Sequence, residues 1–143
     1  NSNVAFYPPS IPGEWERQQS FLRATLKDGR ENGINHIFVF THHPLFLENA
    51  DEKDSSLVIP KERRRTLLEI LRSYDTTAVF SGHWHINNYA RDGDMLMVTS
   101  AAVGYPFGND PSGFRIVKVY EKRIEHEYFG FDEMPLSINM KSV

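Results

Sequence analysis

Two short runs of strand-forming apolar residues, each preceded by an amphipathic helical stretch, constrain this chain more than any other feature. Residues 34–41 (Ile-Asn-His-Ile-Phe-Val-Phe-Thr) are nearly continuously apolar and rich in β-formers, the pattern of a strand covered on both faces. Residues 77–81 repeat the pattern in shorter form. Ahead of the first run, the stretch from Glu14 to about Asp28 places Trp15, Leu22 and Leu26 at helical spacing, with Phe21 beside them. Gly29 and Gly33 then read as stop signals. Ahead of the second run, Pro60 suits a first helical position, and Leu67, Ile70, Leu71 and Tyr74 mark a buried stripe ending near Asp75. Helix, strand, helix, strand in this order predicts two parallel strands joined by a crossover, hence an α/β fold.

The carboxyl ends of such strands are where open α/β sheets place ligands, and both ends carry histidines. Thr41-His42-His43-Pro44 closes the first run and Gly82-His83-Trp84-His85 the second. Neutral imidazole is the commonest metal ligand. Histidines two apart at a strand end can splay toward two adjacent ions, and Gly82 is expected to allow a backbone approach that a side chain would obstruct. Two such ions can share a hydroxide and clamp phosphate oxygens. A His-x-His pair alone is a weak signal; its joint occurrence with a second cluster on a neighbouring strand carries the reading. His43 fits two roles equally, a contact to a substrate phosphate or support for its neighbour. Trp84 reads as a pocket wall, because indole offers one donor and no acid-base function. His36, inside an apolar run, and His126, alternating with Ile124 and Tyr128, read as packed, hydrogen-bonded histidines.

The acid-rich segment 48–56 has no large apolar residue and is expected to be an exposed, mobile loop beside the histidines. After residue 86 the pattern becomes β: 88–91, the turn Asp92-Gly93, 95–99, then 114–120 and 123–129 across Glu121-Lys122. Arg123, Glu125 and Glu127 alternate with Ile124, His126 and Tyr128, as in a half-buried strand. Between them, 104–113 packs three glycines and two prolines into a shaped loop. That loop is either a plain connection or the rim of a substrate pocket, with Tyr105 and Asp110 on the rim and Asp110 bracing Arg115. The tail after Phe131 reads as irregular.

At 143 residues the chain has material for one core and one domain, without repeats or a dividing linker. Its net charge of −3 is spread over mixed signs, which disfavours a nucleic-acid partner. The most basic run, Lys61-Glu62-Arg63-Arg64-Arg65, reads as a solvated helix face. No cysteine is present, which removes disulfides and thiolate metal sites and fits a cytoplasmic setting. No apolar run approaches the roughly 18 residues of a membrane span, so no membrane partner is expected. Residues 1–12, opening on Asn1, resemble an internal stretch, and a truncated or processed product is expected.

The two histidine motifs resemble the last two of the calcineurin-like metallophosphoesterase family, a lone histidine before a proline and then G-H-x-H. The similarity runs further, toward the eukaryotic serine/threonine phosphatases of that family, through residues 40–48, 80–85, 100–115 and 131–133. By this resemblance His42 and His83 would bind one divalent ion and His85 another, with Mn, Fe or Zn as the candidate metals. The fold would be the C-terminal half of a four-layer αββα sandwich. The activity would be metal-dependent hydrolysis of phosphate esters, phosphoserine or phosphothreonine in proteins first, by a hydroxide bridging two metals. The family's earlier motifs, D-x-H, G-D-x-x-D and G-N-H-[DE], are absent here. They supply the aspartates, the bridging carboxylate, an asparagine ligand and a general-acid histidine. The 143 residues alone are therefore expected to be inactive or nearly so. They are also expected to expose apolar surface toward the missing N-terminal half of the domain. Competing expectations are a non-catalytic interaction module on the same fold, a phosphodiesterase or nucleotide phosphatase, and a β-barrel metal protein using His-x-His with a distant histidine.

Overall fold

Glu14, directly after Gly13, opens the longest helix, with Glu14 and Glu16 in the first turn, where acidic groups meet the positive end of the helix dipole. A computed structural model describes residues 1–7 and 11–139; residues 8–10 of the opening stretch and 140–143 of the tail lie outside the described residues. A four-residue helix, α1 (Asn3–Phe6), precedes this long one, α2 (Glu14–Glu31). Gly29 does not stop α2. The helix runs one turn further, and Gly33, at φ +73°, closes it as the Gly33 N–H meets the Arg30 carbonyl (3.1 Å) and the Ile34 N–H the Gly29 carbonyl (3.0 Å). Only a residue tolerant of the left-handed region makes this terminus cheaply.

The apolar run of 34–41 yields a strand of three residues, β1 (Phe38–Phe40), followed by α3 (Lys61–Ser73) with Pro60 as its N-cap and β2 (Ala78–Ser81). β1 and β2 pair in parallel, as the helix-strand order requires. β3 (Asn88–Asp92) and β4 (Met95–Thr99) form the next hairpin, turning at Gly93 and Asp94, one residue later than the Asp92-Gly93 reading. β4 returns to the interior beside β2, also in parallel, giving the mixed sheet order β1-β2-β4-β3. β5 (Gly113–Val119) and β6 (Ile124–Gly130) make a separate antiparallel hairpin, ending in a 3-10 turn at Phe131–Glu133.

Period-two alternation divides the sheet between two cores. Val79, Met95 and Met97 face Leu26, Leu45, Phe46, Ile59, Leu68 and Leu71 on the helical side. Ala78, Phe80, Leu96 and Val98 face the other way, toward Val117 and Ile124 of the hairpin. Helices, mixed sheet and second sheet thus form three layers, an α/β arrangement consistent with part of the αββα sandwich. Among the described residues no helix is long and apolar enough to cross a membrane.

Two expectations fail for tertiary reasons. Among the described residues β1 is an edge strand and Phe40 is 76% exposed, so there the run is not covered on both faces. The basic run at the start of α3 is not wholly solvated: Arg64 is fully buried, donating to the Leu45 and Glu52 carbonyls and facing the Glu52 and Asp54 carboxylates at 3.6 and 3.9 Å. The acid-rich loop is folded around this contact. Glu52 accepts the N–H groups of Leu47, Glu48 and Asn49, and Asp54 accepts that of Lys61 at the head of α3.

A histidine cluster at adjacent strand ends

Parallel pairing of β1 with β2 brings the residues that follow each strand side by side. The Thr41 N–H donates to the Phe80 carbonyl (2.9 Å) and the Gly82 N–H to the His42 carbonyl (3.0 Å), locking the two loops together. A Cβ at Gly82 would meet only that carbonyl, at 4.0 Å. Steric need for glycine there, expected from the motif, is therefore absent. The unusual backbone lies instead at His83 (φ +65°) and His85 (φ +62°), a conformation that costs a non-glycine residue of order 1 kcal/mol or more and is concentrated at functional sites.

His42, His43 and His83 converge so that one ring nitrogen of each lies within 4.8 Å of the others. His42 Nε2 and His83 Nδ1 stand 3.1 Å apart. His83 Nε2 lies 3.0 Å from the Ser56 carbonyl. A carbonyl only accepts, so His83 carries its proton on Nε2 and turns the Nδ1 lone pair toward His42. His85 follows the same logic outside the cluster. Its Nδ1 donates to the Tyr105 carbonyl (2.7 Å) and its ring stacks on Phe107, leaving Nε2 as its free lone pair. A metal-binding imidazole is ordinarily held this way, the other N–H given to a carbonyl. The facing nitrogens of His42 and His83 could hold a divalent ion, and His85 offers one further lone pair outside that cluster.

His43 differs. It is 2% exposed, its ring stacks on Phe6 with centroids 4.0 Å apart, and its Nδ1 faces the Ser2 hydroxyl at 3.1 Å. Burial first, and then the neighbouring His83 and His42, push its pKa down from 6.5 to about 4. A cavity of about 640 Å3 opens beside these rings, lined by Ser2, Tyr7, Phe40, His42, His43 and His83 among others.

The expected pocket rim lies elsewhere. Trp84, Tyr105 and Asp110 do not line this cavity, because loop 104–113 folds over His85 and away from His42. Tyr105 acts through its backbone carbonyl while its ring is 70% exposed. Trp84 is half-buried, its backbone N–H donating to the Gly82 carbonyl (2.7 Å). Asp110 does not bond Arg115: it accepts the Asn87 N–H (2.6 Å), and the Asn87 side-chain oxygen accepts from Arg115 (2.8 Å). Asn87 thus links the two and ties the chain just after His85. His36 and His126 are packed and bonded, to the Tyr120 carbonyl (2.7 Å) and to Arg115 (3.0 Å).

Sequence reading missed Ser2, Phe6 and Asn87, and the Ser56 and Tyr105 carbonyls. Ser2 lies 40 residues from His42, and a backbone carbonyl leaves no side-chain signature, so no local pattern points to either. For Asn87 a signal was available, two residues after His85.

Comparison with known proteins gives a consistent neighbourhood. No family model matches the chain. It is similar to the serine/threonine-protein phosphatase CPPED1 of Homo sapiens, 36% identical over 135 residues, which is 92% of this chain and 43% of that protein. The proteins of the same name from Mus musculus and Danio rerio are each 34% identical over 134 residues, 94% of this chain and 43% of theirs. The chain spans less than half the length of these curated relatives.

Proposed function

The chain is a homologue of the serine/threonine-protein phosphatases named CPPED1 over nearly its whole length, and from that premise we propose that it forms part of a metal-dependent phosphoesterase of calcineurin-like type. Its substrates on this reading are phosphoserine and phosphothreonine esters in proteins. The observation that carries the proposal is the pairing of His42 Nε2 with His83 Nδ1 at 3.1 Å, at the ends of adjacent parallel strands.

His42 with His83, and His85, would hold the divalent ions, which when bound would supply Lewis acidity toward phosphoryl oxygens and acidify water. Imidazole combined with carboxylate donors suits Mn, Fe or Zn. The chain's own residues orient the donors. The Ser56 carbonyl holds His83 by Nε2–H, the Tyr105 carbonyl holds His85 by Nδ1–H, and the Gly82 N–H fixes the His42 loop against the His83 loop. The cavity beside His42 and His83 has room for a phosphoryl group.

Three histidines leave one ion with a single ligand and supply no bridging carboxylate. We therefore assign the other ligands to a preceding segment of the same domain and place these residues in its C-terminal part, a reading supported by the 43% share of the relatives' length. The test is hydrolysis of p-nitrophenyl phosphate with added Mn, by the chain alone and by the chain joined to the preceding segment. Turnover is expected only from the joined protein, with about two ions bound. Robust turnover by the chain alone overturns the incomplete-site reading. A joined protein that binds no metal, or that keeps full activity after His42→Ala or His83→Ala, overturns the phosphoesterase reading. Preference for phosphodiesters or nucleotides over phosphoserine peptides would overturn the substrate assignment.

A further inference from the structure

Three imidazoles within 4.8 Å of one another invite the reading of a tri-histidine metal site, and the hydrogen bonds around Ser2 oppose it. The Ser2 hydroxyl oxygen accepts two backbone N–H groups, from His42 at 3.0 Å and His43 at 3.2 Å. A hydroxyl has two acceptor lone pairs and one proton. With both lone pairs occupied, its contact to His43 Nδ1 at 3.1 Å is one in which Ser2 donates and Nδ1 accepts. The proton of the His43 ring is then on Nε2. In His83, also an Nε2–H ring, and in His85, an Nδ1–H ring, it is the N–H that is given to a carbonyl, which leaves the lone pair for an ion; in His43 it is the lone pair that is taken. His43 Nδ1 is occupied, Nε2 carries hydrogen, and no lone pair is left.

We propose that Ser2 locks His43 in the Nε2–H tautomer, so that His43 serves the site as a hydrogen-bond donor to a phosphoryl oxygen and not as a third metal ligand. Nε2 has no protein partner among the described residues, and His43 lines the cavity together with His42 and His83. Stacking on Phe6 holds the ring plane, and Ser2 precedes the same short helix that carries Phe6. The lock itself follows from hydrogen-bond geometry alone; the choice of a phosphoryl oxygen as acceptor rests on the phosphoesterase reading.

The test uses the chain labelled with 15N-histidine, metal-free and with Zn, and long-range 1H–15N spectra that distinguish the two tautomers. His43 is expected as Nε2–H in both states, with Ser2→Ala releasing a mixture of tautomers. Finding Nδ1–H on His43, or a shift of its tautomer on Zn addition, overturns the lock. Two variants then separate the roles. His43→Phe keeps the stack on Phe6 but removes the donor, and His43→Gln keeps an N–H near the Nε2 position. Zn affinity is expected to stay within about 3-fold in both, since neither removes a ligand. Affinity of the Zn-loaded chain for inorganic phosphate is expected to fall about 10-fold in His43→Phe and to be retained in His43→Gln, one hydrogen bond's worth. A Zn affinity lost in His43→Phe to the extent seen in His42→Ala makes His43 a ligand and overturns the proposal. Unchanged phosphate affinity in His43→Phe overturns the donor role. If the chain joined to its preceding segment binds no Zn at all, the metal reading fails, and the metal-free tautomer still decides the lock.

Discussion

At the scale of single residues, the site depends on where protons sit. His42 and His83 present facing nitrogens at 3.1 Å, and replacing either with alanine removes a donor outright. Each change should weaken Zn or Mn binding by at least the roughly 10–100-fold that loss of an outer-shell partner costs, as titration calorimetry would show. An undiminished affinity would mean the ion binds elsewhere. His43 makes a second prediction, for the metal-free chain. Its folded pKa of about 4 lies below the ordinary 6.5, so between these values the unfolded chain binds more protons than the folded one. Its contribution to stability is therefore fully present above pH 6.5 and is lost as pH falls toward 4, by up to about 3 kcal/mol. Urea unfolding at pH 7.5 and pH 5 should show this loss in the native chain and a flatter dependence in His43→Phe. Equal pH slopes in the two would refute it.

Within elements, two residues hold more than their types advertise. Arg64, charged and at the start of α3, is the anchor of loop 48–56, bonding the Leu45 and Glu52 carbonyls from a fully buried position. Arg64→Ala leaves those groups and the Glu52 carboxylate without their cation and should cost about 3 kcal/mol in urea unfolding. Because the Ser56 carbonyl that orients His83 sits at the end of the same loop, the variant should also bind metal more weakly. Gly113 opens β5 opposite Gly130. A Cβ there would lie 2.0 Å from the Phe129 carbonyl oxygen, which belongs to a paired backbone and cannot move aside. Gly113→Ala should therefore lower stability by about 3 kcal/mol by displacing the hairpin, whereas Gly93→Ala, with open space around its Cβ, should cost only the left-handed backbone penalty of about 1 kcal/mol. Similar melting temperatures for the two variants would contradict that ranking.

For the whole molecule, the sheet ends at β1, which is paired on one side only among the described residues. Phe40 (76% exposed) and Phe21 (70%) border a single apolar cleft of about 180 Å3 between α2 and β1. An unpaired edge beside exposed aromatics favours association. Light scattering should show concentration-dependent self-association of the chain, reduced by Phe40→Lys; a clean monomer at all concentrations would count against it. Much of this architecture was legible beforehand. Helical spacing marked α2 and α3, continuous apolar runs marked β1 and β2, and the order of elements required their parallel pairing, which alone places His42 beside His83. Chain-local chemistry carries that information, because periodicity and turn residues act over a few positions. What local pattern could not carry was any contact spanning tens of residues: Ser2 on His43, Arg64 on the loop carbonyls, Asn87 between Asp110 and Arg115, the open face at Phe40. The sequence by itself determined the two long helices, the parallel pairing of β1 with β2 that sets His42 beside His83, and the two hairpins. Only the tertiary structure decided which nitrogen of the His43, His83 and His85 rings holds the proton, since that depends on whether the partner brought there by folding is a carbonyl, which can only accept, or a hydroxyl already filled by two donors.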